Sequence, residues 1–148
     1  MVPRSILIVE DEGLIALDLQ RRLERLGYLV VMLAENMEEA LEGVATLKPD
    51  VVLMDIRIKG DHDGIETARR ISREFDLPII YVTAHGDAET IERAQLPEPF
   101  GYILKPFINV DFRAQIESVL QKKEAERRLR GSELPAPTGS YPRVCRLS

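Results

Sequence analysis

Cysteine is almost missing from this 148-residue chain, tryptophan is wholly missing, and histidine occurs only twice. The one thiol, Cys145, can close no internal disulfide, and a reducing cytoplasm is the expected setting. Two histidines and one cysteine make no zinc-type ligand set. Long apolar runs are lacking too: Ile6 to Val9 is far too short for a leader core or a membrane span, and it runs directly into acidic residues. Positive charge is scarce over residues 1–121, which hold 13 basic against 22 acidic side chains. That balance excludes a general nucleic-acid surface, because phosphate backbones need clustered Lys and Arg. The 7 basic and 3 acidic side chains of residues 122–148 are too few to reverse it. What remains, 45% apolar and 30% charged residues, is the balance of a domain that folds in water. The length suits one domain and a tail.

Short β-branched runs alternate with helical patterns along the chain. Ile6 to Val9 reads as a strand buried on both faces, and it stops at Glu10-Asp11-Glu12. Ile15, Leu19, Leu23 and Leu26 then line one side of a helix that Gly27 closes. Tyr28 to Leu33 is a second strand. Asn36 with Glu39 resembles a capping box, opening a helix with Met37, Ala40, Leu41, Val44 and Leu47 on one side. Val51 to Met54 is a third buried strand, delivering Asp55 at its end. There follow a loop from Arg57 to Gly64, a helix over Ile65 to Phe75, a strand over Pro78 to Val82 and a short helix over Ala88 to Gln95. A fifth strand over Tyr102 to Leu104 and a last helix from near Asn109 complete the series. Five such alternations predict a doubly wound α/β sandwich on a five-stranded parallel sheet. Lys122 to Arg130 reads as a solvated helical extension, and the Pro-containing tail from Gly131 as disordered.

Functional groups in such a sheet gather beyond the carboxyl ends of its strands. There the sequence places Glu10 and Asp11 after the first strand, Asp55 after the third, Thr83 and Ala84 after the fourth, and Lys105-Pro106 after the fifth. Clustered carboxylates repel one another and persist only if a cation or protons neutralise them. Magnesium suits the set, since it takes one or two carboxylates together with waters and phosphate oxygens. Asp11 and Asp55 are candidate direct ligands, and Glu10 a candidate holder of a coordinated water. An Asp55 oxygen can then act as nucleophile toward a phosphoryl group, with the Lys105 ammonium, the Thr83 hydroxyl and the Ala84 N–H meeting its charge.

The set Glu10-Asp11, "LMDIR" around Asp55, "YVTAH" around Thr83 and "GYILKPF" around Lys105 resembles the response-regulator receiver family of two-component signalling, over roughly residues 4–121. The resemblance implies a flavodoxin-like fold, Mg2+ as cofactor and Asp55 as the phosphoacceptor. It implies Glu10 and Asp11 as metal-binding acids and the Arg57 backbone carbonyl as a further metal ligand. Thr83 and Lys105 become phosphoryl contacts, Tyr102 the switch aromatic that follows Thr83, and Lys105-Pro106 a cis bond. The donor would be a sensor histidine kinase or phosphotransfer protein, and the target a downstream effector protein or domain. A homodimer through the fourth helix, fifth strand and fifth helix is compatible with the family, and no direct nucleic-acid or membrane contact is expected. Catalysis would extend only to the chain's own phosphorylation and dephosphorylation. The loop "RIKGDHDG" departs from the family pattern by lacking a proline and running one residue longer before Asp63-Gly64. Arg57 and His85 occupy positions that tune phosphoryl lifetime in the family. "EAERRLRGSE" resembles a linker to a sensory or kinase module, so the chain is expected to be either a stand-alone receiver or a piece of something longer.

Two other readings stand beside this one. A flavodoxin-type carrier would bind FMN on the same architecture, but its first loop needs a Ser/Thr/Gly-rich phosphate cradle where this chain has Glu10-Asp11-Glu12. A docking module acting without phosphorylation would be told apart by its indifference to beryllofluoride and magnesium.

Overall fold

A computed structural model describes residues 3–58, 63–84, 86–95, 100–107 and 110–132. The elements follow in strict alternation: β1 (Ser5–Val9), α1 (Gly13–Arg25), β2 (Leu29–Ala34), α2 (Met37–Leu47) and β3 (Val51–Asp55). Then come α3 (Asp63–Phe75), β4 (Ile79–Thr83), α4 (Ala88–Ala94), β5 (Phe100–Leu104) and α5 (Phe112–Ser132). The strands form one sheet in the order β2-β1-β3-β4-β5, and every neighbouring pair is parallel. This is the flavodoxin-like doubly wound α/β architecture. Its order steps outward from β1 in both directions, so the chain reverses beside β1 and β3 and leaves a crevice there.

Alternation along each strand splits the core into two layers. Leu7, Val9, Val52, Met54, Ile79 and Tyr81 face α2 and α3, where Ala40, Val44, Ala68 and Ile71 meet them. Ile6, Ile8, Val51, Leu53, Ile80 and Val82 face α1 and α5, against Leu19, Leu23, Phe112, Ile116 and Val119. The central strands β3 and β4 are buried at every residue, as continuous apolar runs require when both faces are covered. Asn36 caps α2 through a hydrogen bond accepted from the Glu39 N–H at 2.9 Å. Gly27, at φ 95°, takes the left-handed position that ends α1.

The last helix includes the expected helical extension over Lys122 to Arg130, but its start and the contacts of its far half differ from the expectation. It starts at Phe112 and continues without a break through residue 121 to Ser132, and its far half is only partly solvated. Lys123 is 5% exposed. Its ammonium reaches Asp76, which sits at the end of α3 with φ 57°, and also Glu126 at 2.8 Å. Arg130 donates to the other Asp76 oxygen at 2.8 Å, and Arg127 donates to the Asp76 carbonyl at 3.1 Å. Three cations spaced four and three residues apart lie on one helical face, and one residue of the body receives them all. The expected disordered tail beyond this helix lies outside the described residues.

Burial disfavours ionisation of Asp76, but Arg130 and Lys123 outweigh it and hold the carboxyl below the usual aspartate range. A depressed native value means that the clasp stabilises fully above the ordinary aspartate pKa of about 3.9 and weakens as pH falls through the lowered one. Asp76→Ala is expected to speed amide hydrogen exchange across residues 122–132 while leaving the strands protected. Equal exchange in variant and wild type would show that the clasp contributes nothing.

Candidate functional site

Because all five strands run the same way, their carboxyl ends open on one edge, and register sets which side chains meet there. Val9 pairs with Met54 and Asp55 with Val82, while Thr83 pairs with Leu104. The next residues along β1 and β5, Glu10 and Lys105, stay hydrogen-bonded to their neighbours: Glu10 N–H donates to Ala34 at 2.9 Å and Lys105 N–H to Thr83 at 2.7 Å. Glu10, Asp11, Asp55, Thr83 and Lys105 are thereby carried to one place by residues of the sheet itself. Carboxylate oxygens of Glu10, Asp11 and Asp55 all lie within 4.8 Å of one another. The Lys105 ammonium sits 3.4 Å from Asp55 Oδ2 and 3.3 Å from Glu10 Oε1. The Lys105–Pro106 peptide bond is cis.

Burial makes this arrangement electrostatically tense. Glu10 is 2% exposed and Asp55 4%. Desolvation and the neighbouring Asp55 carboxylate push the Glu10 carboxyl up to about 7, against the pull of Lys105 and of the Glu12 N–H. That N–H donates to Glu10 Oε2 at 3.2 Å. The other oxygen, Oε1, is buried without a hydrogen bond, and the Lys105 ammonium meets it as an ion pair at 3.3 Å. For Lys105, burial lowers the pKa, and Asp55 and Glu10 more than restore it, so the group stays protonated. Among the described residues, three acids meet here and the Lys105 ammonium lies against two of them, which favours an excess of negative charge.

Thr83 is 1% exposed at the end of β4. Tyr102, on the neighbouring strand, is half-buried and meets Phe100 edge-on at 5.6 Å between ring centres, and Phe100 meets Tyr81 the same way at 5.7 Å. Arg57 N–H donates to Asp55 Oδ1 at 3.0 Å, which fixes one carboxylate oxygen from the loop side. Residues 59–62, including His62, lie outside the described residues, as does His85.

Two features here carry no sequence signal that pattern reading could use. The first is the Arg57 guanidinium, which makes three hydrogen bonds of 2.9–3.1 Å to Asp87, a residue 3% exposed. An Asp immediately before a short helix reads as a cap, yet the Asp87 side chain makes no cap hydrogen bond. The second is Gly64, in the first turn of α3. Its N–H donates to Ile56 O at 3.2 Å, and a Cβ built there would strike the Asp55 carbonyl oxygen and lie 2.8 Å from Ile56 Cα. Backbone on both sides leaves nothing flexible to yield. Gly64→Ala is expected to cost about 1–3 kcal/mol and to displace the peptide that carries Asp55. A wild-type urea midpoint would show that α3 can move away freely.

An α/β module whose carboxyl edge gathers three acids, one of them at a strand end, and a lysine defines a class: a compact acidic site that could hold a metal ion. The sequence profile of the response regulator receiver domain matches residues 6–129. The chain belongs to that family. It is 37% identical over 121 residues to the transcriptional regulatory protein PdtaR of Mycobacterium tuberculosis, an overlap of 82% of this chain and 58% of that protein. It is 34% identical over 125 residues to the phyllosphere-induced regulator PhyR of Methylorubrum extorquens, covering 84% of this chain and 46% of that one. The chain thus spans about half the length of the curated relatives it matches. Among solved structures, the signal receiver domain of a modulated diguanylate cyclase from Desulfovibrio desulfuricans G20 superposes with a TM-score of 0.76 at 42% identity, over 84% of this chain and 99% of that one. Among the described residues, no helix is long and apolar enough to cross a membrane.

Proposed function

We propose that this chain is a phosphoacceptor, switched by transfer of a phosphoryl group to Asp55 in the presence of Mg2+. The observation that carries the reading is the meeting of Glu10, Asp11 and Asp55 within 4.8 Å, with the Lys105 ammonium against two of them. The donor set fits a magnesium ion: oxygen ligands only, surplus negative charge, and a buried Glu10 oxygen left without a hydrogen bond. Asp11, Asp55 and the Arg57 carbonyl would hold the ion, with Glu10 bonding one of its waters. When bound, the ion neutralises the acids and the charge that builds on the phosphoryl oxygens.

The chain's own residues carry the rest. Asp55 is nearly buried, and the Arg57 N–H holds one of its oxygens while a carboxylate lone pair attacks phosphorus. With a phosphohistidine donor a P–O bond forms as the P–N bond breaks, and the electron pair of the broken bond stays on the imidazole nitrogen. Lys105, kept protonated by its acidic neighbours, meets the transferred oxygens, and Thr83 offers them a hydroxyl from β4. Movement of Thr83 toward the phosphoryl group would open space for the half-buried Tyr102 ring, and so bias the surface of α4, β5 and α5. Residues 4–121 form the receiver body in this reading, with 122–148 as its extension. It works in the cytoplasm, between a histidine kinase or phosphotransfer protein and an effector, and catalyses no reaction beyond its own phosphorylation and dephosphorylation.

Incubation with a small phosphodonor and magnesium should add one phosphoryl group by intact mass, and chelation of the metal should prevent it. Labelling that survives chelation, or none with either a small donor or a kinase, would overturn the proposal.

A further inference from the structure

The Arg57 side chain does something that the acceptor chemistry does not require. Its backbone N–H bonds to Asp55 Oδ1, while its guanidinium turns away and clamps Asp87 at the start of α4. The pair is asymmetric: the Arg57 side chain is 49% exposed and the Asp87 side chain only 4%. A carboxylate buried to that degree needs compensation, and a bidentate guanidinium supplies it with fixed direction. Asp87 also stands in the backbone that opens α4, since its carbonyl accepts the Ile91 N–H at 3.2 Å. A single residue therefore joins the acceptor carboxylate on β3 to the start of α4, by its backbone N–H at one end and its guanidinium at the other.

We propose that the Arg57–Asp87 pair is a direct line of transmission from Asp55 to α4, with Asp87 as the positioning residue that holds Arg57 off the acceptor. This rests on the phosphoacceptor reading above and adds a route that does not pass through Thr83 and Tyr102. A phosphoryl group on Asp55 brings a charge of about −2 beside a cation that is tethered two residues away. The phosphoryl oxygens then compete with Asp87 for the guanidinium. Any movement of Arg57 toward them withdraws the compensating charge from a buried carboxylate, and the start of α4 must readjust.

The test is made on the full chain by amide NMR, adding beryllofluoride and magnesium as a stable phosphoryl mimic. In the wild type, amides near Asp55 and Lys105 and those of α4 from Glu89 to Arg93 should all shift. In Asp87→Asn and Asp87→Ala, the shifts near Asp55 and Lys105 should persist while those in α4 are largely lost. Asp87→Ala added to Arg57→Ala should change the α4 response no further than Arg57→Ala alone, as members of one pair require. Thermal unfolding monitors both Asp87 variants, and Asp87→Asn keeps the side-chain shape if the alanine is poorly tolerated. A full α4 response in folded Asp87→Asn would overturn the inference, as would a wild type that responds near Asp55 but not in α4. A wild type that responds nowhere would overturn the phosphoacceptor reading itself, and this inference with it.

Discussion

Asp55→Asn is expected to abolish incorporation of a phosphoryl group from a small donor with magnesium, measured by intact mass or radiolabel. An amide oxygen is a far weaker nucleophile than a carboxylate and leaves no acyl phosphate to accumulate. The substitution should not unfold the chain. An asparagine oxygen can still accept the Arg57 N–H, and the change removes one of two buried acids that push against each other, since Asp55 helps to raise Glu10. A melting temperature at or above that of the wild type is therefore expected alongside complete loss of labelling. Undiminished labelling would move the acceptor to another residue.

Lys105→Ala should have two effects of opposite sign. Loss of a preorganised cation that meets developing phosphoryl charge is expected to slow phosphorylation by about 10²-fold or more. Magnesium should nevertheless bind more tightly. The ammonium lies 3.3 Å from Glu10 and 3.4 Å from Asp55, so it occupies part of the negative field that attracts the ion and repels the ion directly. A gain of about tenfold needs only about 1.4 kcal/mol of that repulsion to be relieved. Without magnesium the variant should lose stability, because two nearly buried carboxylates are left without their cation, and added magnesium should restore it. Calorimetric titration and melting with and without the ion check both statements. Weaker magnesium binding in Lys105→Ala would mean that the lysine positions the acids rather than competing for them.

The receiver body was largely legible in advance, and its elements show why. Before their terminal Asp55 and Thr83, β3 and β4 are runs of Val, Ile, Leu, Met and, in β4, Tyr81 with no charged interruption, as suits strands covered on both faces. Their ends were marked by a change of chemistry: apolar residues give way to Asp55 and Thr83, and on β1 to Glu10. Where no such change exists, the boundaries moved. β5 begins at Phe100 rather than Tyr102, because Phe100 and Gly101 pair with Ile79 and Ile80 and sequence alone does not reveal pairing partners. The first turn of the last helix shifted in the same way, from near Asn109 to Phe112.

The residues beyond 121 show the opposite case. Lys122 to Arg130 has the composition of a solvated charged helix, and its helical form follows from that composition. Its attachment does not. Lys123, Arg127 and Arg130 are held because α3 happens to end just before Asp76, 47 residues ahead of the first of them. Arg57 and Asp87 are likewise 30 residues apart, and each has an adequate local role in the sequence taken alone.

By itself, then, the order of residues determined the alternating architecture, the strand ends and the list of acids, hydroxyl and amine placed there. Those features arise from local hydrophobic period and from parallel topology, which force strand ends to one edge whatever the details. Tertiary structure alone decided the distances among the acids, the raised Glu10, the close seat of Gly64 on the Asp55 peptide and the two long-range ion-pair clasps. These depend on register, on the depth of burial and on which helix lies over which strand, and such quantities exist only once separate segments have packed.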